Sequence, residues 1–148
     1  MYSLPFLVTR FFRPQLLETF HLTNAQLGDA FAAFGVMAMI SYFIGGPFAD
    51  RFSARRLLTL SLLATAMGGF VMAYIPSASV LTLVYTYWGI STVLLFWAGM
   101  IRATKEWGDV STQGKAFGIL DSGRGLVAAT SASVAVALFA SALPGDVT

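Results

Sequence analysis

Asp121 and Arg124 are the residues whose types and spacing point most clearly to chemistry in this sequence. Residues three positions apart share one face of a helix, and a guanidinium binds a carboxylate or a phosphate through two parallel hydrogen bonds. Two interpretations stay open. In one, the pair only neutralises its own charges. In the other, Arg124 binds an anionic group while Asp121 orients it or carries a proton.

Enzymatic chemistry has little support elsewhere in the chain. The 148 residues contain no cysteine and one histidine, His21, so they provide neither a thiolate zinc site nor a histidine metal cluster. Residues 118–125 have the outer spacing of a phosphate-binding loop, but Arg124 replaces its lysine. We therefore predict no enzymatic activity, no metal and no cofactor. The net charge of +2 is too small to indicate a nucleic-acid partner.

The composition indicates a membrane protein. Hydrophobic residues make up 57% of the chain and charged residues 11%, and the mean hydropathy is +0.74. A soluble domain has roughly 45–50% hydrophobic residues and about 25% charged residues. A helix needs roughly 20 residues to cross a bilayer. The uncharged stretches of at least that length are residues 30–49, 57–101 and 125–145. The middle stretch is long enough for two crossings, with a turn at Pro76.

We predict an all-α membrane protein with four full transmembrane helices and a stub. The predicted helices are residues 25–49, 57–75, 80–101 and 116–143, to within a few positions. Thr23 and Gln26 have the Thr-x-x-Gln spacing of a capping box, which marks the start of the first of these helices. Residues 1–13, a short apolar run that ends in arginines, are expected to be the end of a truncated first helix. The alternative is a short interfacial segment with its arginines in the headgroup layer.

Positive charges predict the orientation of the chain. The loops at residues 50–56 and 102–115 contain six Lys and Arg residues, while Arg10 and Arg13 lie on the opposite side. Loops rich in Lys and Arg stay on the cytoplasmic side of a membrane. We therefore expect a multi-pass protein of the cell membrane, in a bacterium the inner membrane, with both loops in the cytoplasm. Aromatic residues are expected at the two membrane interfaces: Trp107 beside the second loop, and Tyr74, Tyr85 and Tyr87 around the outer turn.

Membrane depth makes the charge of Arg124 costly. This residue lies nine positions after Lys115, roughly 13 Å along a helix. A charge near the middle of a bilayer costs on the order of 2.5–3.5 kcal/mol by insertion scales, and such residues usually face a cavity. Tyr42, eight positions before Asp50, is a weaker candidate for the same cavity.

A second group of residues lies in the first cytoplasmic loop and has the pattern G-x-x-x-D-R-x-x-x-R-R. Its members, called the loop motif below, are Gly46, Asp50, Arg51, Arg55 and Arg56. The glycine lets two helix ends approach, and the aspartate can bind the arginines and face the positive N-terminus of a neighbouring helix. We expect a cytoplasmic gating motif. The alternative is a topogenic basic loop with an incidental aspartate.

The loop motif between two membrane helices resembles the cytoplasmic signature of the major facilitator superfamily of secondary transporters. Ser53 stands where the family usually has a glycine, which puts the tightness of the turn in question. Residues 22–28 and 113–118 look like the family's second helix start and its loop between helices four and five. The resemblance implies helices two to five of twelve, part of one six-helix half, with the C-terminal half missing from this sequence.

The resemblance also implies a function. In the complete protein it implies transport of a small organic solute by alternating access between two halves, while the chain alone is expected to be inactive. Arg124 falls on the position of a substrate-facing histidine in the organophosphate and organic-anion branch, which implies an anionic solute and a site of Arg124, Asp121 and Tyr42. Its partners would be the bilayer, the solute and the missing half. The alternative is a non-transporting membrane scaffold or partner subunit.

Overall fold

The computed structural model describes Thr9, residues 11–107 and residues 109–142. The predicted end of a truncated first helix at residues 1–13 lies mostly outside the described residues. Within them the regular structure is helical, without strands. The helices are α1 Arg13–Thr19, α2 Asn24–Arg51, α3 Ala54–Ala73, α4 Ala78–Trp107 and α5 Gln113–Ala142.

Four of these helices, α2 to α5, are long and apolar enough to cross a bilayer. The prediction of an all-α membrane protein with four membrane-length helices is therefore confirmed. The observed bounds differ most for α4, which continues to Trp107 instead of ending near residue 101. The apolar stretch ends there, but Arg102 and Glu106 are four positions apart and form an ion pair of 2.6 Å that suits a further helical turn.

The start of α2 has the capping box that the sequence predicts. The backbone N–H of Thr23 donates to Oε1 of Gln26 at 2.9 Å, and the backbone N–H of Gln26 donates to Oγ1 of Thr23 at 3.2 Å. These bonds satisfy donors that have no partner inside the helix. The first membrane-length helix therefore begins at Asn24, close to the predicted position.

Helix α4 is the most buried of the four and packs against both α2 and α3. Glycines make this approach possible, since lipid supplies no hydrophobic force that drives helices together. A Cβ atom added at Gly89 would lie 2.9 Å from the backbone oxygen of Phe34 in α2. One added at Gly99 would lie 2.9 Å from Cβ of Leu57 in α3. The two backbones therefore meet α4 at contact distance.

Polar side chains add to the contact between α3 and α4. Oγ of Ser61 donates to the backbone oxygen of Ser91 at 2.7 Å, and Nε1 of Trp88 donates to the backbone oxygen of Thr65 at 3.1 Å. Ser91 belongs to a π-helical segment, Ile90–Trp97, in the middle of α4. Buried polar groups in a membrane need partners inside the protein, and these bonds provide them.

Tyr85 has a different position from the one expected. It is fully buried, and its hydroxyl lies 2.9 Å from Oγ1 of Thr9. Its ring packs edge to face against Phe31 and Trp88, with centroids 5.2 and 5.3 Å apart. The expected interfacial role is therefore wrong for this residue. It belongs to the core, because it faces α2 rather than the lipid.

Helix α5 lies at the edge of the described bundle. Its membrane-length window has no buried residue, and it packs mainly on the C-terminal part of α4. A ring contact between Phe12 and Phe139, with centroids 5.0 Å apart, joins its far end to the segment before α1. Because α5 begins at Gln113, Arg124 lies 11 residues into it, about 16 Å from its first residue.

Replacing Gly89 with alanine is expected to destabilise the bundle. The new Cβ would overlap backbone atoms of α2, and overpacking of this kind costs about 1–3 kcal/mol. Gly69→Ala is the matched control, because a Cβ there meets no atom within 4 Å and alanine favours a helix. Thermal unfolding of both variants in detergent should lower the midpoint only for Gly89→Ala. Equal midpoints would contradict the close approach of α4 to α2.

The orientation is testable with single cysteines, since the sequence contains none. Cysteines at Ser53 and Ser111, which are exposed and lie in the two basic loops, should resist a membrane-impermeant thiol reagent in intact cells. A cysteine at Ser77, in the turn before α4, should react. Lysed cells supply the control, in which all three must react. Labelling of the cysteine at position 53 in intact cells would contradict the predicted orientation.

Candidate solute cavity

A cavity of about 520 Å³ lies between α2 and the C-terminal half of α4. We call it the cytoplasmic cavity, because the basic loops at its end are predicted to lie in the cytoplasm. Its lining residues are Ser41, Tyr42, Gly45, Gly46, Ala49, Asp50, Val93, Trp97, Ala98, Ile101, Arg102 and Lys105. Small residues on α2 leave the space, while aromatic and charged side chains line it.

Three residues singled out from the sequence meet in this cavity. Tyr42, Gly46 and Asp50 lie on successive turns of α2 and all line it. Tyr42 and Asp50 are eight residues apart on α2, about 12 Å along its axis. A tyrosine proposed for solute binding and two members of the loop motif therefore share one wall.

The arginines of the loop motif lie outside this wall. Arg51 is the last residue of α2, and Arg55 and Arg56 lie in the first turn of α3. All three are exposed. Positive charge in the first turn of a helix opposes the helix dipole, so Arg55 and Arg56 do not stabilise α3, whereas Arg51 lies at the negative end of α2. All three suit the predicted role in membrane orientation.

Asp50 has surroundings that the sequence did not indicate. The ion pairs found in the described part of the chain do not join it to Arg51, Arg55 or Arg56. The loop is held by another residue, Arg102 of α4. Nη1 of this arginine donates to backbone oxygens at the end of α2 and in the loop. The acceptors are Ala49, Asp50 at 3.3 Å and Phe52 at 3.0 Å.

Arg102 is itself oriented by a carboxylate. Its Nε donates to Oε1 of Glu106 at 2.6 Å, one helical turn further along α4. The arginine side chain is about one-third exposed. Sequence reasoning treated Arg102 only as a positive charge in the second loop. The i, i+4 spacing of Arg102 and Glu106 was a usable signal for the ion pair, but the contact with α2 spans some fifty positions and has no local signature.

Asp121 and Arg124 form the predicted pair on one face of α5. Nη1 of Arg124 donates to Oδ1 of Asp121 at 2.9 Å, and the two side chains are 42% and 70% exposed. The guanidinium carbon of Arg124 also lies 4.8 Å from the ring centroid of Trp97, a distance at which a cation is attracted to an aromatic face. Trp97 lines the cytoplasmic cavity, so this ring contact connects Arg124 to one of the residues in the cavity wall.

The structure thus places the predicted site residues in two connected groups. Tyr42, Gly46 and Asp50 line the cavity directly, while Arg124, which pairs with Asp121, contacts the lining residue Trp97. Among the described side chains, no three His, Cys, Asp or Glu residues come together as metal ligands would. The side chains that line the cavity or contact its lining offer charges, hydrogen-bonding groups and aromatic faces.

Comparison with known proteins agrees with this architecture. The family model of the Major Facilitator Superfamily matches residues 2–144. The chain is 30% identical to the inner membrane protein YihN of Escherichia coli K12 over 139 residues, which is 94% of this chain and 33% of the relative. It is 32% identical to the inner membrane protein YqcE of the same organism over 126 residues, 85% of this chain and 30% of the relative.

The chain spans about a third of the length of these two relatives. No solved structure matches it. The relatives lie in the inner membrane by name, which agrees with the predicted location of a multi-pass membrane protein. A family model that matches nearly every residue, together with four membrane-length helices and the loop motif, shows that this chain belongs to the major facilitator superfamily.

Proposed function

We propose that the protein containing this chain transports a small organic solute with an anionic group by alternating access. Membership of the major facilitator superfamily supports transport as the general activity. The observation that carries the finer proposal is the position of Arg124, whose guanidinium carbon lies 4.8 Å from the ring centroid of Trp97, a residue that lines the cytoplasmic cavity. An arginine in a membrane-length helix is costly to desolvate and usually faces a cavity, and the ring that Arg124 contacts, Trp97, lines the cytoplasmic cavity.

The guanidinium of Arg124 has capacity for a second anion. It carries five N–H donors, and the described residues accept one hydrogen bond from it, at Oδ1 of Asp121. A solute carboxylate or phosphate would accept two parallel hydrogen bonds from the same group. Trp97 would hold the guanidinium plane in place during this exchange, because stacking restricts its rotation.

Asp121 fits the role of a resting counter-charge. Its side chain is 70% exposed and binds Arg124 through one oxygen, so an arriving anion can replace it without breaking a buried contact. In this proposal the pair is both self-neutralising and anion-binding, at different stages of transport. The carboxylate neutralises Arg124 when the site is empty and releases it, or takes up a proton, when the solute binds.

Tyr42 would complete the site from the opposite wall. Its hydroxyl can donate to or accept from a polar group of the solute, and its ring is one of two aromatic side chains in the lining, with Trp97. A non-transporting scaffold would have no use for a polar cavity with three charged side chains in its wall. We therefore favour transport over a scaffold, and we place the C-terminal half of the transporter opposite this cavity.

Arg124→Lys in a full-length transporter that contains this chain is expected to weaken solute binding by about tenfold to a hundredfold. Lysine keeps the charge but loses the paired hydrogen bonds, and a hydrogen bond to a charged group contributes about 1.5–3 kcal/mol. Binding affinity and membrane expression are measured together. Normal affinity in a well-expressed Arg124→Lys protein would contradict the anion site.

Two further variants separate the interpretations of the pair. Asp121→Asn should change the pH dependence of uptake if that carboxylate carries protons. The double change Arg124→Leu with Asp121→Leu should abolish uptake if Arg124 binds the solute, but should leave it near normal if the pair only neutralises itself. The 148-residue chain alone is the negative control, because alternating access needs two halves around one site.

A further inference from the structure

Arg102 binds backbone carbonyl groups at the end of α2 from a different helix. The last carbonyl groups of a helix have no partners inside it, and a glycine or a capping side chain from the same segment often satisfies them. Here a side chain from a different helix does so, because Nη1 of Arg102 in α4 donates to Ala49, Asp50 and Phe52. One guanidinium nitrogen therefore bonds the last turn of α2 and the loop that follows.

The loop itself is too short to adjust independently. Only Phe52 and Ser53 separate the end of α2 from the start of α3 at Ala54. The side chain of Ser53, the N-cap residue of α3, makes no capping hydrogen bond. Phe52 bonds back to α2 through its backbone N–H, which donates to the oxygen of Phe48 at 3.3 Å, and Arg102 adds a contact from another helix.

Glu106 fixes the direction of the arginine. Its carboxylate binds Nε of Arg102 at 2.6 Å, and both residues lie on α4 one turn apart. A negative partner at Nε leaves the Nη1 side of the planar guanidinium directed towards α2. The charge of Arg102 is thereby shared between one carboxylate and the negative end of the α2 dipole.

We infer that Arg102, oriented by Glu106, is a positioning residue that clamps the cytoplasmic end of α2 to that of α4, so that the two helix ends and the loop motif move as one body. Asp50 then keeps a fixed place in the wall of the cytoplasmic cavity. The inference concerns how this wall is held together, so it does not depend on the nature of the solute.

Lys105 provides a matched comparison. It lies on the same turns of α4 and lines the same cavity, yet no hydrogen bond joins it to the described residues of α2. Lys105→Gln, like Arg102→Gln, removes one positive charge from the lining of the cavity. A difference between the two changes therefore reports the clamp rather than the loss of a positive charge.

The experiment measures the distance between nitroxide labels on Ser53→Cys and Trp107→Cys by double electron–electron resonance, with the 148-residue chain in lipid nanodiscs. Both positions are exposed, and the sequence has no other cysteine. We expect one narrow distance in the parent chain and at least a twofold broader distribution in Arg102→Gln. Lys105→Gln should keep the parent width, and Arg102→Lys, which retains a cationic donor, should recover part of it.

A second label pair separates a local clamp from a general loss of structure. Labels on Ala25→Cys and Ser79→Cys, exposed positions at the opposite ends of α2 and α4, should keep their width in Arg102→Gln. Equal broadening of both pairs would overturn the inference, as would equal widths for Arg102→Gln and Lys105→Gln. If Arg102→Gln does not accumulate in the membrane, Glu106→Gln is measured in its place. An unchanged width of the distance distribution between labels at positions 53 and 107 in that variant would overturn the role of the ion pair.

Discussion

Close contact between the backbone of α4 and its two neighbours is the constraint on which the rest of the structure depends. Lipid does not drive apolar helices together, so their association rests on small residues and hydrogen bonds. Gly89 and Gly99 provide the first, and the bond from Ser61 to Ser91 provides the second. With α4 fixed in this way, Trp97 and Arg102 come to face the wall of α2 that contains Tyr42 and Asp50.

Two arginines, Arg102 in the lining of the cavity and Arg124 in contact with the lining residue Trp97, have different surroundings. Arg102 is bound on one side by Glu106 and on the other by the end of α2, so its charge is occupied by the protein. Arg124 has one carboxylate partner and an aromatic face. This difference supports assigning solute recognition to Arg124 and a positioning role to Arg102. The cavity wall and the proposed anion site are therefore held by separate charges.

Much of the fold could be predicted because its signals are local. Charge-free stretches give the number of crossings, and the Thr23–Gln26 spacing gives the start of α2. The pairing of Asp121 with Arg124 follows from their i, i+3 spacing. Contacts between distant segments could not be predicted. Tyr85 was assigned to an interface because its position along the predicted helix does not reveal which face of that helix packs on α2. The hydrogen bond from Arg102 to the end of α2 likewise has no sequence pattern.

A disulfide between α2 and α4 tests the central claim most directly. A Cβ atom added at Gly45 lies 3.8 Å from Cβ of Ala98, within the range of about 3.5–4.5 Å that disulfides require. The account predicts that Gly45→Cys with Ala98→Cys cross-links almost completely in membranes under mild oxidation. The pair Gly46→Cys with Ala98→Cys, one position along, should remain largely reduced, because a Cβ at Gly46 meets no atom within 4 Å. Efficient cross-linking of the Gly46 pair and none of the Gly45 pair would contradict the arrangement of the cavity.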